Sequence, residues 1–154
     1  MFIGIGIDAH RFSRERKLIL GGVEIPFEMG LEGHSDADVL THAVADAVLG
    51  ALSKGDIGRH FPDTDSRFKD ICSLNLLKDI RARWKFKIHN IDSVIVCQKP
   101  KLASYMEQME INIAESLKID RDIVSVKATT TEYMGFTGRG EGICVVANVL
   151  LERE

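Results

Sequence analysis

Apolar residues occupy nearly every face of the segment from Val39 to Leu52, which predicts a largely buried central helix. Ser35 is followed three residues later by Asp38, a spacing typical of a capping box, so the helix is expected to open near Asp36. Polar side chains recur every fourth residue on this helix and form one stripe: Asp38, His42 and Asp46. A buried polar stripe needs partners, although a lone histidine there would more often be a satisfied core residue.

Alternating and short apolar runs predict strands on both sides of the central helix. Phe2–His10 alternates glycine with isoleucine, and Gly21-Gly22 between two apolar triplets predicts a two-residue hairpin turn. The other predicted elements are two amphipathic helices, Ser73–Lys85 and Leu102–Leu117, and three strands, Ile91–Gln98, Ile123–Thr129 and Ile143–Leu151. The last strand lacks alternation and is therefore expected to be buried on both faces.

The interleaving of strands and helices predicts an α/β (α+β) fold, a mixed β-sheet with helices packed on one face. A length of 154 residues with 45% hydrophobic and 28% charged residues indicates one compact domain over residues 1–154. A net charge of −3 and the lack of a basic block argue against nucleic-acid or membrane partners. Three widely spaced cysteines indicate free thiols in a reducing compartment, so we expect a soluble cytoplasmic protein, or a mature form whose targeting segment was removed.

Metal-ligand spacing appears on the opening strand. Asp8 and His10 are two residues apart, so both side chains lie on one face of an extended strand. Together with His42 they form an Asp/His/His set, which suits zinc and leaves a fourth coordination position for substrate. Asp46, one turn after His42, is a candidate to accept the second imidazole N–H, and a plain surface carboxylate is the competing interpretation.

Four other segments have side chains suited to phosphate, sugar or divalent-ion binding. Each is weak alone, because Asp-rich and Gly-rich turns and threonines in strands are common without a ligand. They are His34 with Ser35 before the central helix, Asp56–Gly58 with Phe61–Asp65, Thr129–Glu132, and the loop Gly135–Gly142 with Arg139. The glycine-rich loop lacks the strand and helix context of a nucleotide-binding loop.

Taken in order, these motifs closely resemble the 2-C-methyl-D-erythritol 2,4-cyclodiphosphate synthase family over essentially the whole chain. The motifs are Asp8-x-His10, GHSDADVLTHAVADA, GDIGRHFPDTD, VCQKPKL and VKATTTEYMGFTGRGEG. The resemblance implies a phosphorus–oxygen lyase of non-mevalonate isoprenoid precursor synthesis. Such an enzyme cyclises 4-diphosphocytidyl-2-C-methyl-D-erythritol 2-phosphate and releases CMP. It also implies a homotrimer with active sites between subunits.

The same resemblance implies roles for individual residues. It places zinc on Asp8, His10 and His42 and a magnesium or manganese ion near Glu132. It makes His34 and Thr130 stabilisers of the transition state. The implied substrate contacts are Asp8, Ala9, His10, His34 and Ser35; Asp56, Ile57, Gly58, Phe61, Pro62, Asp63, Thr64 and Asp65 around the erythritol; Cys97, Gln98, Lys99, Pro100, Lys101, Leu102 and Ala103 with Thr129, Thr130, Thr131 and Glu132 around the cytidine; and Phe136 and Arg139 near the diphosphate and the trimer axis.

Two other classes of function stay open from the residues alone. A metal-dependent phosphohydrolase would use the same three ligands to activate water and would release inorganic phosphate. A non-catalytic module stabilised by zinc would need a fourth protein ligand. The other candidates, His60 and His89, are expected on the surface.

Overall fold

The computed structural model, which describes residues 1–154, contains a five-stranded sheet with helices on one face. In chain order the elements are β1 (Phe2–Ser13), β2 (Leu18–Leu20), β3 (Val23–Ile25), β4 (Gly30–Leu31), α1 (Val39–Ala51), α2 (Ile57–His60), α3 (Leu74–Arg83), β5 (Phe86–Val96), α4 (Met106–Leu117), β6 (Val124–Thr129), α5 (Gly135–Gly138) and β7 (Gly142–Arg153). The strand order is β4-β1-β7-β5-β6. β7 is antiparallel to β1 and β5, whereas β5 and β6 are parallel, so the mixed sheet is confirmed. No helix is long and apolar enough to cross a membrane.

The predicted hairpin is confirmed. β2 and β3 pair antiparallel around Gly21 and Gly22, which have φ values of +55° and +71°. Two consecutive positive φ values suit the right-handed twist of a tight hairpin, and glycine reaches them without steric cost.

Helix α1 lies directly on β1 and β7, and two glycines make the close approach possible. A Cβ atom on Gly4 would lie 1.9 Å from the carbonyl oxygen of Ala47, and one on Gly6 would lie 1.9 Å from that of Ala43. Side chains alternate along a strand, so Asp8 and His10 lie on the same face as these glycines. The first half of β1 therefore packs against α1, and its second half places Asp8 and His10 beside His42.

We expect Gly6→Ala to lower the free energy of unfolding by about 3 kcal/mol, because the new methyl group overlaps helix backbone that cannot rotate away. Urea denaturation measures this loss. Gly50→Ala is the matched control, because its added methyl group would lie 3.8 Å from the nearest heavy atom outside its own helix, the Ile5 carbonyl oxygen. Since alanine has the higher helix propensity, this variant should be as stable as the parent or more stable. Equal stability of the two variants would contradict the close-packing account.

The start of α1 differs from the prediction. The helix begins at Val39 rather than near Asp36, and its N-cap is Asp38, whose carboxylate accepts the Thr41 N–H at 3.0 Å. The expected Ser35 capping box is therefore wrong, and the Ser35 hydroxyl accepts the Ala37 N–H instead. The buried Asp38 carboxylate also accepts the N–H groups of the hairpin glycines, so a tertiary contact fixes the helix start.

The sheet face opposite the helices is uncovered in the single chain. On the helix side, Val145, Ala147 and Val149 of β7 are at most 1% exposed, whereas Val146 on the other side is only half-buried. Burial of β7 on both faces is thus wrong for the isolated chain, because no helix packs on the second face. The β1 side chains on that face are the most exposed: Ile3 at 77%, Ile5 at 60% and Ile7 at 62%.

Candidate metal centre and active-site cavity

Asp8, His10 and His42 form a possible metal-binding triad. Asp8 Oδ2 lies 2.9 Å from His10 Nε2 and 3.1 Å from His42 Nδ1, and the two nitrogens are 3.4 Å apart. Ligands about 2.0–2.1 Å from a tetrahedral zinc ion are separated from one another by about 3.3 Å, so these spacings suit zinc. One carboxylate and two imidazoles are also a ligand set that zinc accepts. The predicted triad is therefore brought together in space.

Hydrogen bonds on the far side of each imidazole leave the inner nitrogens as ligands. His10 Nδ1 lies 2.5 Å from the backbone carbonyl of Glu32, so Nδ1 carries the proton and Nε2 is left with a lone pair. His42 Nε2 faces the hydroxyls of Ser73 at 3.0 Å and Ser35 at 3.2 Å, which leaves Nδ1 toward Asp8. The two histidines thus present different ring nitrogens to one point.

The proposed contact between Asp46 and His42 is wrong. Asp46 Oδ1 accepts the Ile57 N–H at 2.7 Å, which holds the start of α2 against α1, and Ser73 and Ser35 occupy the place beside His42 Nε2. Asp46 lies one helical turn after His42 on the same face of α1, but the imidazole of His42 points away from it, toward Ser73 at the start of α3. Asp46 therefore positions the loop that carries Asp56–Gly58.

The charge state of Asp8 suits a cation site. Burial opposes ionisation of this carboxyl, but when no metal is bound, protonation of His10 and His42 supplies hydrogen bonds and positive charge that outweigh burial and lower the pKa of Asp8 to about 2. Asp8 is therefore a carboxylate at neutral pH, the form that binds metal ions. Burial likewise opposes charge on His10, and the Asp8 carboxylate nevertheless raises the pKa of that imidazole.

The triad opens onto a cavity of about 260 Å³. Its lining includes predicted residues from several loops: Asp8, His10, His34, Ser35, His42, Ile57, Gly58, Phe61 and Asp63. His34 Nε2 is buried and has no hydrogen-bond partner within the chain. An unpaired buried nitrogen is costly unless a ligand satisfies it, so His34 has a free polar atom for a substrate.

The other residues of the segment 56–65 adjoin the residues that line the cavity. Asp56 caps α2 by accepting the Arg59 N–H at 3.0 Å. Asp65 caps a short 3₁₀ turn and pairs with Arg67 at 2.6 Å. Pro62 and Thr64 lie in the turn before it, where the Asp65 N–H donates to the Pro62 carbonyl at 3.0 Å, and they do not line the cavity.

A second group of predicted residues lies elsewhere, at the ends of the parallel strands β5 and β6. The Cys97 N–H donates to the Thr129 carbonyl at 3.0 Å, and the Gln98 side-chain oxygen accepts the Tyr133 N–H at 3.1 Å. Thr130 donates to Glu132 at 3.4 Å. None of the Cys97–Ala103 or Thr129–Glu132 residues lines the cavity beside the triad. The predicted site is therefore in two separate halves in one chain.

The glycine-rich loop contains the short helix α5 and forms a third region. Phe136 lines a cavity beside β1 together with Ala9, and Arg139 pairs with Glu141 at 3.1 Å on the surface. The predicted substrate contacts Ala9 and Phe136 thus line one cavity, and His10 lines both this cavity and the main one.

Three site residues were not identified from sequence. Ser73 and Asp36 lie behind His42, and Arg16 donates to the carbonyls of Gly33 at 2.7 Å and Ser35 at 2.5 Å. The arginine shapes the loop before α1, whose backbone lies at the cavity. A serine at a helix start normally indicates a cap, so the pattern gave no signal for its contact with His42.

Comparisons with known proteins agree over the full length of the chain. The sequence model of the YgbB family matches residues 1–152. The chain is 58% identical to a 2-C-methyl-D-erythritol 2,4-cyclodiphosphate synthase of Alkaliphilus oremlandii, with 96% of each chain covered. It is also 58% identical to the synthase of that name from Geobacillus kaustophilus, with 98% of each covered.

Solved structures give the same result. The chain superposes on the bifunctional IspDF of Campylobacter jejuni with a TM-score of 0.92 and 46% identity. The match covers 99% of this chain and 42% of the longer Campylobacter chain. It superposes on the CDP complex of Plasmodium falciparum IspF with a TM-score of 0.86 and 33% identity, covering 99% and 96% of the two chains.

Proposed function

We infer the reaction from the premise that the chain belongs to the YgbB family, whose curated relatives are 2-C-methyl-D-erythritol 2,4-cyclodiphosphate synthases. The enzyme cyclises 4-diphosphocytidyl-2-C-methyl-D-erythritol 2-phosphate to 2-C-methyl-D-erythritol 2,4-cyclodiphosphate and releases CMP. It is a phosphorus–oxygen lyase of non-mevalonate isoprenoid precursor synthesis. The observation that carries this assignment is the Asp8, His10 and His42 triad, which lines a cavity beside the unpaired nitrogen of His34.

The chemistry explains why the cavity holds no nucleophile and base pair. The nucleophile is an oxygen of the substrate's own 2-phosphate, which is already anionic and needs no side-chain base. It forms a bond to the diphosphate phosphorus that is attached to the erythritol, while the bond from that phosphorus to the bridging oxygen breaks and CMP leaves with that oxygen. The protein must therefore align two anionic groups and offset their repulsion.

The residues of the first half supply that alignment. Asp8, His10 and His42 would hold the zinc ion, which would supply Lewis-acid charge for phosphate oxygens. His34 offers its free Nε2 to the same group, so we assign it to the transition state together with Thr130. The erythritol is proposed to lie against Ile57, Gly58, Phe61 and Asp63, with Asp56 and Asp65 holding the shape of that wall.

The second half is proposed to hold the cytidine and the second cation. The Cys97 N–H donates to the Thr129 carbonyl, so the two segments Cys97–Ala103 and Thr129–Glu132 adjoin each other. Burial raises the pKa of Cys97 to about 11, which keeps its thiol neutral. The exposed Glu132 carboxylate would repel a diphosphate by itself, so we place magnesium or manganese beside it. Phe136 and Arg139 are assigned to the diphosphate surroundings near the trimer axis.

The separation of the two halves supports a homotrimer with sites shared between neighbouring subunits. In a single chain the triad lies in a different region from the segments that we propose to bind cytidine, and we infer that a second copy supplies the missing half. The uncovered sheet face provides a contact surface, since Ile3, Ile5 and Ile7 form an exposed apolar row. A ring of heterologous contacts satisfies both observations. We also place the enzyme in the cytoplasm, because its three cysteines are free.

We expect Ile5→Asp to dissociate the trimer and lower activity by about 100-fold, because the charge would be desolvated at the subunit contact. Light scattering coupled to size exclusion should show the parent at about three times the 17.1 kDa chain mass and the variant at a lower mass. Ile5 is 60% exposed in one chain, so the monomer should still fold. Gln108→Asp is the control, because it adds the same charge to the exposed surface of α4, away from the uncovered sheet face, and should leave the trimer intact. An Ile5→Asp variant that is still trimeric would contradict the proposed contact face.

Phosphorus NMR of purified protein with zinc, magnesium and the diphosphocytidyl substrate tests the reaction itself. A cyclic diphosphate appearing together with CMP is the expected result. Inorganic phosphate would instead indicate the hydrolase, and an unchanged spectrum would indicate the zinc-stabilised module.

A further inference from the structure

The imidazole of His42 contacts different groups on its two sides. Its Nδ1 faces Asp8 and His10, and its Nε2 faces Ser73 Oγ at 3.0 Å. Nδ1 can ligate a metal ion only when the ring proton is on Nε2. Whatever fixes the proton on Nε2 therefore prepares His42 for its role.

We propose that Ser73 and Asp36 are positioning residues that set the tautomer and ring orientation of His42. This inference rests on the proposed metal site and extends it beyond the three ligands. The Ser73 hydroxyl forms a short hydrogen bond to Asp36 Oδ1, and the Ser73 N–H donates to Asp36 Oδ2 at 3.0 Å. A carboxylate accepts only, so the single hydroxyl proton of Ser73 goes to Asp36. Its oxygen then has only lone pairs for His42, and Nε2 must be the donor.

The neighbouring Ser35 does not have the same effect. Its hydroxyl lies 3.2 Å from His42 Nε2 and 3.4 Å from Ser73 Oγ, and it accepts the Ala37 N–H. No carboxylate takes its proton, so Ser35 can donate or accept toward the imidazole. The direction of the hydrogen bond to His42 is therefore fixed by Ser73 with Asp36.

The Ser73 hydroxyl is shielded from solvent and does not cap helix α3. Ser73 is fully buried and His42 is 8% exposed, so solvent has little access to replace the hydroxyl. Ser73 stands at the N-cap position of α3, yet its side chain makes no capping hydrogen bond. Removing the hydroxyl thus does not uncap the helix. His10 differs, because its outer nitrogen is held by the Glu32 backbone carbonyl, which no side-chain substitution removes.

The test is zinc affinity, measured by chelator competition at fixed pH. We expect Ser73→Ala to weaken zinc binding by about 10–100-fold, the usual effect of removing a group that orients a metal-binding histidine. Asp36→Asn should cause a smaller loss in the same direction, and Ser73→Thr should restore affinity because it keeps the hydroxyl. Ser116→Ala is the matched control: Ser116 is also buried, and its hydroxyl donates at 2.8 Å to the Asn112 carbonyl in α4.

Nitrogen-15 NMR of the metal-free protein gives a second readout. The Asp8 carboxylate, 3.1 Å from Nδ1, favours a proton on Nδ1, so a proton on His42 Nε2 in the parent would report the effect of Ser73. Ser73→Ala should shift part of the population from Nε2 to Nδ1. Unchanged zinc affinity with an unchanged tautomer in Ser73→Ala would refute the positioning role alone. A parent chain that binds no zinc would refute the metal site as well.

Discussion

Replacing His42 with alanine is expected to abolish zinc binding and to lower turnover by about 1,000-fold or more. His42 Nδ1 is one of only three ligand atoms, and its loss leaves the Asp8 carboxylate and one imidazole to hold the ion. Two ligands cannot complete a stable tetrahedral site, and the phosphates then meet the negative charge of Asp8 without compensation. Metal analysis after dialysis and phosphorus NMR of the reaction measure the two losses on one sample.

A matched control separates this effect from general damage to a histidine. His89→Ala removes an imidazole that pairs with Glu152 on the surface, so zinc content and turnover should stay at the parent level. Circular dichroism should show both variants folded. Retained zinc or retained turnover in His42→Ala would refute the assigned ligand role.

Mixing two inactive variants is expected to restore activity. His42→Ala damages the half-site with the triad, and Glu132→Ala damages the half-site at the ends of β5 and β6. If each active site takes its halves from neighbouring subunits, random trimers of the two variants contain intact sites. About a quarter of all sites should be intact in an equal mixture, because each half is undamaged in half of the subunits, and about one site in three should be intact in the trimers that contain both variants.

Co-expression with two affinity tags, followed by rate measurement on the doubly tagged fraction, makes this comparison. Each variant purified alone gives the baseline. A mixed trimer no more active than its parents would place both halves of the site within one chain and would contradict shared active sites.

The members of the metal triad were predictable because each is marked by the pattern of its own element, although His42 lies 34 residues from Asp8 in the chain. Strand alternation places Asp8 and His10 on one face, and the buried pattern of α1 marks His42 as a polar residue needing partners. The glycines preceding Asp8 then seat the helix on that same face. Periods of two and of 3.6 residues, both visible in the sequence, identify these residues, and the packing of α1 on β1 brings them together.

The surroundings of His42 were not predictable in the same way. Ser73 is 31 residues away in the chain, and its contact depends on how α3 packs against α1. Asp46 lies one turn from His42 and looked like the natural partner, but the direction of the imidazole placed it elsewhere. The start of α1 was misplaced for a similar reason, since Asp38 is held by the distant hairpin amides.

The interpretation of β7 shows a different limit. An apolar strand without alternation must be covered on both faces, but the sequence does not say whether a helix or another copy of the chain covers the second face. In the single chain, Val146 and Leu150 on the second face are only half-buried. Sequence pattern therefore indicates the need for a cover, and only the fold indicates which face lacks one.

The contact between the glycines of β1 and the backbone of α1 has a consequence for how the enzyme takes up its metal. Two of the three ligands belong to the strand and one to the helix, and main-chain atoms in direct contact fix the distance between these elements. The coordination geometry is thus a property of the rigid scaffold, and an ion can leave and return without the chain refolding. We therefore expect the metal-free chain to keep its fold, in contrast to proteins that unfold when their metal is removed.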